Sequence, residues 1–416
     1  MATLHPFRAE RFDPARHADL SALAAPPYDV ISTPARATLA AASPLNFVHL
    51  DLPPGGVDPA GASPFYHEAA ERLAGWRRAG DVSRDSAPSF TVLRQRFVAP
   101  DGSARSRTGL FGLAHLLPFD AGKVLPHEQT YAGPVRDRAA QMTAFAASLS
   151  PVWFVYRGDN GADPLAPFFA AALDGRAPDQ RFAMDDTSGE LFVLDDPALH
   201  QRVMDALGHR PVIIADGHHR YTTTLAHHQR LGTPKPLVFG FFTCLDTPDT
   251  LLLATHRGLR APLAAELDAL GRYFDVAPGG GSPAPGAAGA IRFTLCRPGE
   301  ADRVLTVNAA GAARLAERVP QPELAALDAV AYRVLVLEEA LALDAATLDD
   351  PTNFAYFGSE ADARASFAAG ELSALFLLAP MSAAQLGDVT AAGLVTPRKT
   401  TYFYPKVPSG LLWHPF

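Results

Sequence analysis

The sequence predicts a mixed α/β protein. Two observations carry that expectation. Up to about residue 250, short apolar runs of strand length alternate with longer stretches of helical spacing, and a shorter alternation resumes beyond a Gly/Pro/Ala-rich interruption. A third observation sets the scale: 416 residues, 48% hydrophobic and 19% charged, have the composition of a folded chain. At roughly 150 residues per domain this length suggests two or three units. The expected division is a motif-bearing α/β domain over 1–250, a second α/β domain over 251–395, and a C-terminal segment, 396–416, packing back on the functional site.

The elements follow in chain order. Strands are expected at Asn46–Leu52, Ser89–Ala99, Arg107–Leu117, Val152–Arg157, Glu190–Leu194, Val212–Ala215 and Leu237–Leu245. Asp101-Gly102 reads as the hairpin turn between two of them. Helices are expected at Pro64–Arg78, Val135–Leu149, Pro197–Leu207 and His218–Arg230. The first has Ser63 as N-cap and Tyr66, Ala69, Ala70, Leu73 and Trp76 at helical spacing, which is a core pattern. The stretch 277–290 lacks periodicity and large apolar groups, so it reads as a flexible insertion. Beyond it come strands at Ile291–Cys296 and Arg303–Val307, a helix at Pro322–Leu341, an apolar run at Ala374–Ala379 and a helix at Ser382–Ala392.

Bulk properties exclude several classes. A net charge of −8 gives no general attraction to nucleic acid or anionic membrane. No stretch of ~18 apolar residues argues for a membrane span, and the N-terminus has no signal-peptide pattern. Two cysteines, Cys244 and Cys296, are too few for a disulfide framework or zinc cage and fit buried thiols in a reducing cytoplasm. A P-loop sequence and a Gly-x-Ser-x-Gly elbow are both absent. The histidines His218, His219, His227 and His228 lack the spacing of a zinc helix.

Chemistry concentrates where the run Val212–Ala215 ends in Asp216-Gly217 and opens onto His218-His219-Arg220-Tyr221. A strand-to-helix junction presents unpaired N–H groups and the positive end of the helix dipole, and Gly217 would let a phosphate approach the backbone. A buried polar network that only fixes the fold is the competing reading. Four further segments stand out. Tyr28-Asp29 closes the proline-stiffened Ala25-Pro26-Pro27, where Asp29 either caps local backbone or reaches a ligand. His127-Glu128 could act as a base with its orienting carboxylate, although neighbours on an extended chain point to opposite faces. His256-Arg257 follows an apolar run. Arg398-Lys399 and Lys406 belong to an aromatic-rich stretch near the C-terminus and could present cations to an anion or a nucleotide base.

These segments, in this order, resemble the bacterial and archaeal family catalogued as domain of unknown function 1015 (DUF1015). The resemblance rests on Pro6-Phe7-Arg8, Ala25 to Val30, Pro126 to Thr130, Ala215 to Tyr221, Thr255-His256-Arg257 and the stretch from Lys399 to Leu411. More distantly, Asp216-Gly217-His218-His219-Arg220 is similar to the signature of the superfamily of plasmid-partition proteins, sulfiredoxins and free-serine kinases. That likeness implies a partition-protein/sulfiredoxin-type fold for the N-terminal domain, with Gly217, His218, His219 and Arg220 on nucleotide phosphate and Asp216 beside the transferred group. Sulfiredoxins carry Cys where His218 stands, so the redox nucleophile is missing.

The function that follows is a nucleotide-dependent phosphotransferase acting on a small hydroxylated metabolite, with ATP or ADP and Mg²⁺. Asp216, Glu128, His127 and His218 are the catalytic candidates, and Asp216 and Glu128 could also reach the metal. Lys399 and Lys406 join the phosphate contacts, while Tyr28, Asp29, His256, Arg257 and Arg398 are assigned to substrate. A nucleotide-binding switch and a phosphate-ester hydrolase remain open. A nucleic-acid or membrane partner is not expected.

Overall fold

In the computed structural model the described residues are all but 1–3, 55–64, 129–131, 186, 209, 261–266 and 284–290; the side chains of 132–134, 267–268 and 351 are likewise outside the description. The chain divides into two compact units. One comprises Met1–Pro126, Thr130–Thr250 and Pro405–Phe416, the other His127–Gln129 and Leu251–Tyr404. The C-terminal stretch is thus shared, its last residues belonging to the first unit. Both units mix helix with sheet.

The first unit is organised on a nine-stranded mixed sheet of described residues. Its order is Val124–Leu125, Val212–Asp216, Val152–Tyr156, Leu237–Cys244, Ala104–His115, Phe90–Val98, Thr187–Leu194 and Gln180–Met184, with Leu4–His5 pairing Ala104–His115. Val212–Asp216 runs parallel to Val124–Leu125 but antiparallel to Val152–Tyr156. Apolar side chains such as Phe90, Val92, Leu110, Phe154, Phe192, Ile214 and Phe242 form one buried cluster on this sheet. Strands buried this thoroughly read as continuous apolar runs, which is why the sequence locates them. The Asp101-Gly102 turn joins Phe90–Val98 to Ala104–His115 with Val98 opposite Ala104.

The second unit holds a six-stranded sheet in the order Phe274–Pro278, Arg303–Val307, Arg292–Cys296, Ala374–Leu378, His256–Leu259, Phe354–Phe357. A separate two-stranded ladder pairs Leu251–Leu253 with Tyr402–Tyr404. Both cysteines are buried and free, and burial raises both thiols, Cys244 to about 11 and Cys296 to about 12. No helix of the described residues is long and apolar enough to cross a membrane.

Several elements depart from the sequence expectation. Asn46–Leu52 is not a strand: Val48–Asp51 is a short helix. Asn46 decides this, because its Oδ1 accepts from the Val48 N–H while its Nδ2 donates to the Ala22 and Ala24 carbonyls. Pro322–Leu341 is not one helix either. It breaks at Ala326-Leu327 into Pro322–Ala325 and Asp328–Ala331, then continues as the wider π-type turn Tyr332–Ala340. Asp328 at the break accepts from the Ala379 N–H, a tie that a continuous amphipathic pattern does not reveal. At 277–290 the strand Phe274–Pro278 runs into the expected insertion. The Gly281 carbonyl accepts from Thr294 and Ser282 donates to Glu360, so this part is tethered. Residues 284–290 lie outside the description, as do Ser63 and Pro64 ahead of the helix Phe65–Ala79.

Candidate functional site

The junction after Val212–Asp216 is built from local sequence and one irregularity. The ladder with Val152–Tyr156 pairs Ile214 with Phe154 and then Asp216 with Trp153, so the register shifts across Ala215. A bulge of this kind re-aims the side chain that follows it. Gly217 has φ +93 and ψ 30, left-handed backbone that a side chain disfavours, and it is the N-cap of the 14-residue helix His218–Leu231. A Cβ at Gly217 would lie 3.0 Å from Cζ and Nε of Arg220, so the guanidinium rests on the glycine. Tyr221 is fully buried. Its hydroxyl donates to the Leu117 carbonyl and accepts from the Leu117 N–H, which pins the first helical turn to the core.

Asp216 stands between two cations. Arg220 donates from Nη2 to Asp216 Oδ2, and Lys406 donates from Nζ to Oδ1. Arg220 also donates to the Pro151 carbonyl. Each of the three ion-pairing side chains is only 14–15% exposed. Lys406 reaches this place because its backbone is held from the sheet: Arg107 donates to the Pro405 carbonyl at 2.8 Å and Gln95 to the Lys406 carbonyl at 3.4 Å. Arg107 is itself buried, lies 4.1 Å from the Trp153 ring centroid and donates to Gln95 at 2.6 Å. His218 is buried and His219 partly so.

Tyr28 belongs to the same unit. The Arg138 guanidinium sits 4.0 Å from its ring centroid, and burial pushes the phenol up to about 12, which keeps it protonated. Asp29 is exposed. Behind Tyr28 is a polar network that nothing in the sequence singles out. Arg138 donates to Asp137 at 2.6 Å and Asp51 at 3.2 Å, Tyr66 donates to Asp137 at 2.9 Å, and Ser409 to Asp51 at 2.8 Å. A cavity of about 20 Å³, room for one water, touches Asp51, Arg138, Ser150 and Arg220. A cleft of about 630 Å³ elsewhere in this unit is lined by Arg94, Arg107, Asp163, Phe169 and Asp249 and contains none of the residues chosen from the sequence.

The second unit gathers most of the remaining candidates. His127 is buried, with Nε2 2.7 Å from Thr401 Oγ1, and its carbonyl accepts from both the N–H and the hydroxyl of Thr396 at 2.8 Å. Glu128 Oε1 accepts from the Lys399 N–H at 3.1 Å, and Arg257 donates to the Lys399 carbonyl at 2.7 Å. Arg398 shares that turn. His256 lies in the strand His256–Leu259 beside Arg257, where Nδ1 accepts from the Leu378 N–H; burial lowers its pKa to about 4, so the ring is neutral. The structure therefore assembles Tyr28, Asp216–Arg220 and Lys406 in one unit, and His127, Glu128, Arg257 and Lys399 in the other.

For magnesium the donor set fits poorly. Both oxygens of Asp216 are taken by cations, Glu128 is engaged with backbone, and no group of three or more His, Cys, Asp or Glu that could hold a metal occurs among the described residues.

Over residues 4–330 the chain matches the family described as Protein of unknown function (DUF1015), and it belongs to that family. Among solved structures it is similar to a conserved hypothetical protein from Pyrococcus furiosus, at 15% identity and TM-score 0.37, covering 72% of this chain and 93% of that one. It is also similar to a free serine kinase in complex with AMP, at 16% identity and TM-score 0.37, covering 72% and 92%. A C-terminally truncated SbnI from Staphylococcus aureus gives 12% identity, TM-score 0.36 and coverage of 72% and 85%. No curated protein matches.

Proposed function

We propose that this member of the DUF1015 family binds a nucleotide by its phosphates at the Asp216–Arg220 junction and transfers a phosphoryl group to a small hydroxylated metabolite. The observation that carries this reading is the placement of Arg220 and Lys406 on the single carboxylate of Asp216, at the N-terminus of the helix that Gly217 opens. Two full cations and the positive helix end meet at the Asp216 carboxylate, a concentration of donors of the kind that binds anions. Phosphate oxygens can take the donors that Asp216 now occupies, because Arg and Lys both make charge-assisted bonds to phosphate.

That exchange gives Asp216 a role. Released from its cations, the carboxylate accepts the proton of the acceptor hydroxyl as its oxygen attacks the terminal phosphorus and the bond to the leaving phosphate oxygen breaks. Arg220 and Lys406 neutralise charge on the transferring group. Tyr28, kept protonated, and the exposed Asp29 are available to an acceptor hydroxyl or ammonium.

The test is to incubate the protein with ATP, ADP or CTP, Mg²⁺ and a pool of hydroxylated metabolites including serine, following nucleotide loss and new phosphorylated products by mass spectrometry. A product that disappears in Asp216→Asn supports the reading. Phosphate release without an acceptor product would favour hydrolysis, and binding without turnover a switch. If none of the nucleotides binds, the proposal fails.

A further inference from the structure

The geometry points to a second oxyanion site, in the unit formed by His127–Gln129 and Leu251–Tyr404, where Arg257 and the Pro397–Thr400 turn would take a small carboxylate or phosphate. It does not depend on the Asp216 reading. Arg257 is only 4% exposed, yet among the described residues it makes no ion pair with a carboxylate, and its buried Nε has no hydrogen-bond partner. Its Nη2 donates to the Lys399 carbonyl, and its guanidinium lies 4.7 Å from the Tyr356 ring centroid. Taking a guanidinium out of water is expensive unless its charge and donors are met, and a carbonyl, a ring face and the attraction of Glu128 leave the Nε–H unmet. Burial accordingly lowers the Arg257 pKa.

The turn is shaped for the same purpose. Lys399 has φ +57, a left-handed conformation that a residue with a side chain disfavours. It is held there from both sides, by Glu128 on its N–H and Arg257 on its carbonyl. Thr400 closes the turn through its hydroxyl on the Pro397 carbonyl at 2.5 Å, and Thr396 and Thr401 tie the flanks to His127. A strained residue fixed at both peptide groups is a device for aiming, and left-handed turns of this kind form anion-binding concavities. Arg398 and Lys399 belong to the turn that Arg257 holds, Glu128 accepts from the Lys399 N–H, and the adjacent His256 is neutral. A carboxylate or phosphate would take the Arg257 Nε–H and the Lys399 ammonium together.

Hydrogen–deuterium exchange on the full chain tests this, with inorganic phosphate and, separately, acetate as probes at low ionic strength. The peptide containing Lys399 and Thr400 should exchange more slowly and saturably with anion. Arg257→Gln should weaken the apparent affinity about tenfold or more, the loss of one charge-assisted bond. Glu128→Gln keeps an acceptor for the Lys399 N–H while removing the competing negative charge, so it should bind the anion more tightly. Response to both probes assigns a general oxyanion site, and response to one names the class. Exchange at this turn that ignores both anions in the wild-type chain overturns the proposal, as does undiminished affinity in a folded Arg257→Gln or weaker binding in Glu128→Gln.

Discussion

Lys406→Met is the sharpest perturbation of the proposed phosphate site. The change keeps an unbranched apolar stem of similar length and removes the ammonium that donates to Asp216. Because the pair is only 14% exposed on each side, it is poorly screened. Asp216 nevertheless keeps Arg220, so its charge is not stranded, and the stability loss should be about 1 to 2 kcal/mol rather than the ~3–5 kcal/mol of a fully broken buried pair. Phosphate binding is affected more. A charge-assisted hydrogen bond is worth about 1.5–3 kcal/mol, so ADP affinity should fall about 10- to 150-fold. Calorimetric titration with ADP and with adenosine separates the contributions, since adenosine lacks the phosphates. The reasoning is refuted if Lys406→Met binds ADP as the wild type does, or if adenosine loses as much as ADP.

Three other outcomes are expected. Gly217→Ala should cost about 1–2 kcal/mol from its φ of +93 and displace Arg220, weakening ADP, whereas Gly232→Ala, at φ +61 with open surroundings, should cost about 1 kcal/mol and leave ADP binding alone; titration and urea melts of both variants check this. Arg138→Met strands the buried carboxylates of Asp51 and Asp137 and should destabilise the chain by about 3–5 kcal/mol in chemical denaturation. His414, whose pKa burial lowers to about 4, is neutral when folded and takes a proton near pH 6.5 when unfolded, so stability is lost as pH falls from 6.5 toward 4, by at most about 3–4 kcal/mol. His414→Phe, set among Phe7 and Phe416, should flatten that part of the profile, and an unchanged slope between pH 4.5 and 7.5 would sink the assignment.

The Val212–Tyr221 junction was legible in the sequence because its determinants are local. An apolar run makes the buried strand, Gly217 permits the left-handed cap, and a stretch without Gly or Pro continues as helix. The strands at Phe90–Val98, Val152–Tyr156 and Leu237–Cys244 were legible for the same reason, and the helix Pro197–Leu207 starts and stops where its composition indicates. Local pattern misled where a side chain reached outside its own segment. Asn46 turned an expected strand into a helix, and Asp328 split an expected long one.

The sequence offered both Lys399 and Lys406 to the junction, and tertiary structure decided which of them pairs with Asp216. Nothing near Lys406 in the chain announces Asp216, and the choice of Lys406 over its neighbours depends on Gln95 and Arg107, which fix the backbone of residues 405 and 406 from the central sheet. Arg107, Arg138 and Asp51 are ordinary charged residues in the sequence, where Arg and Asp belong by default to the surface. They matter to the junction only because folding takes them out of water and sets Arg107 on the Pro405 carbonyl and Arg138 on Asp51, partners far away in the chain. Sequence can show which residues carry polar chemistry, but desolvation, which gives that chemistry its energy, is a property of the packed chain.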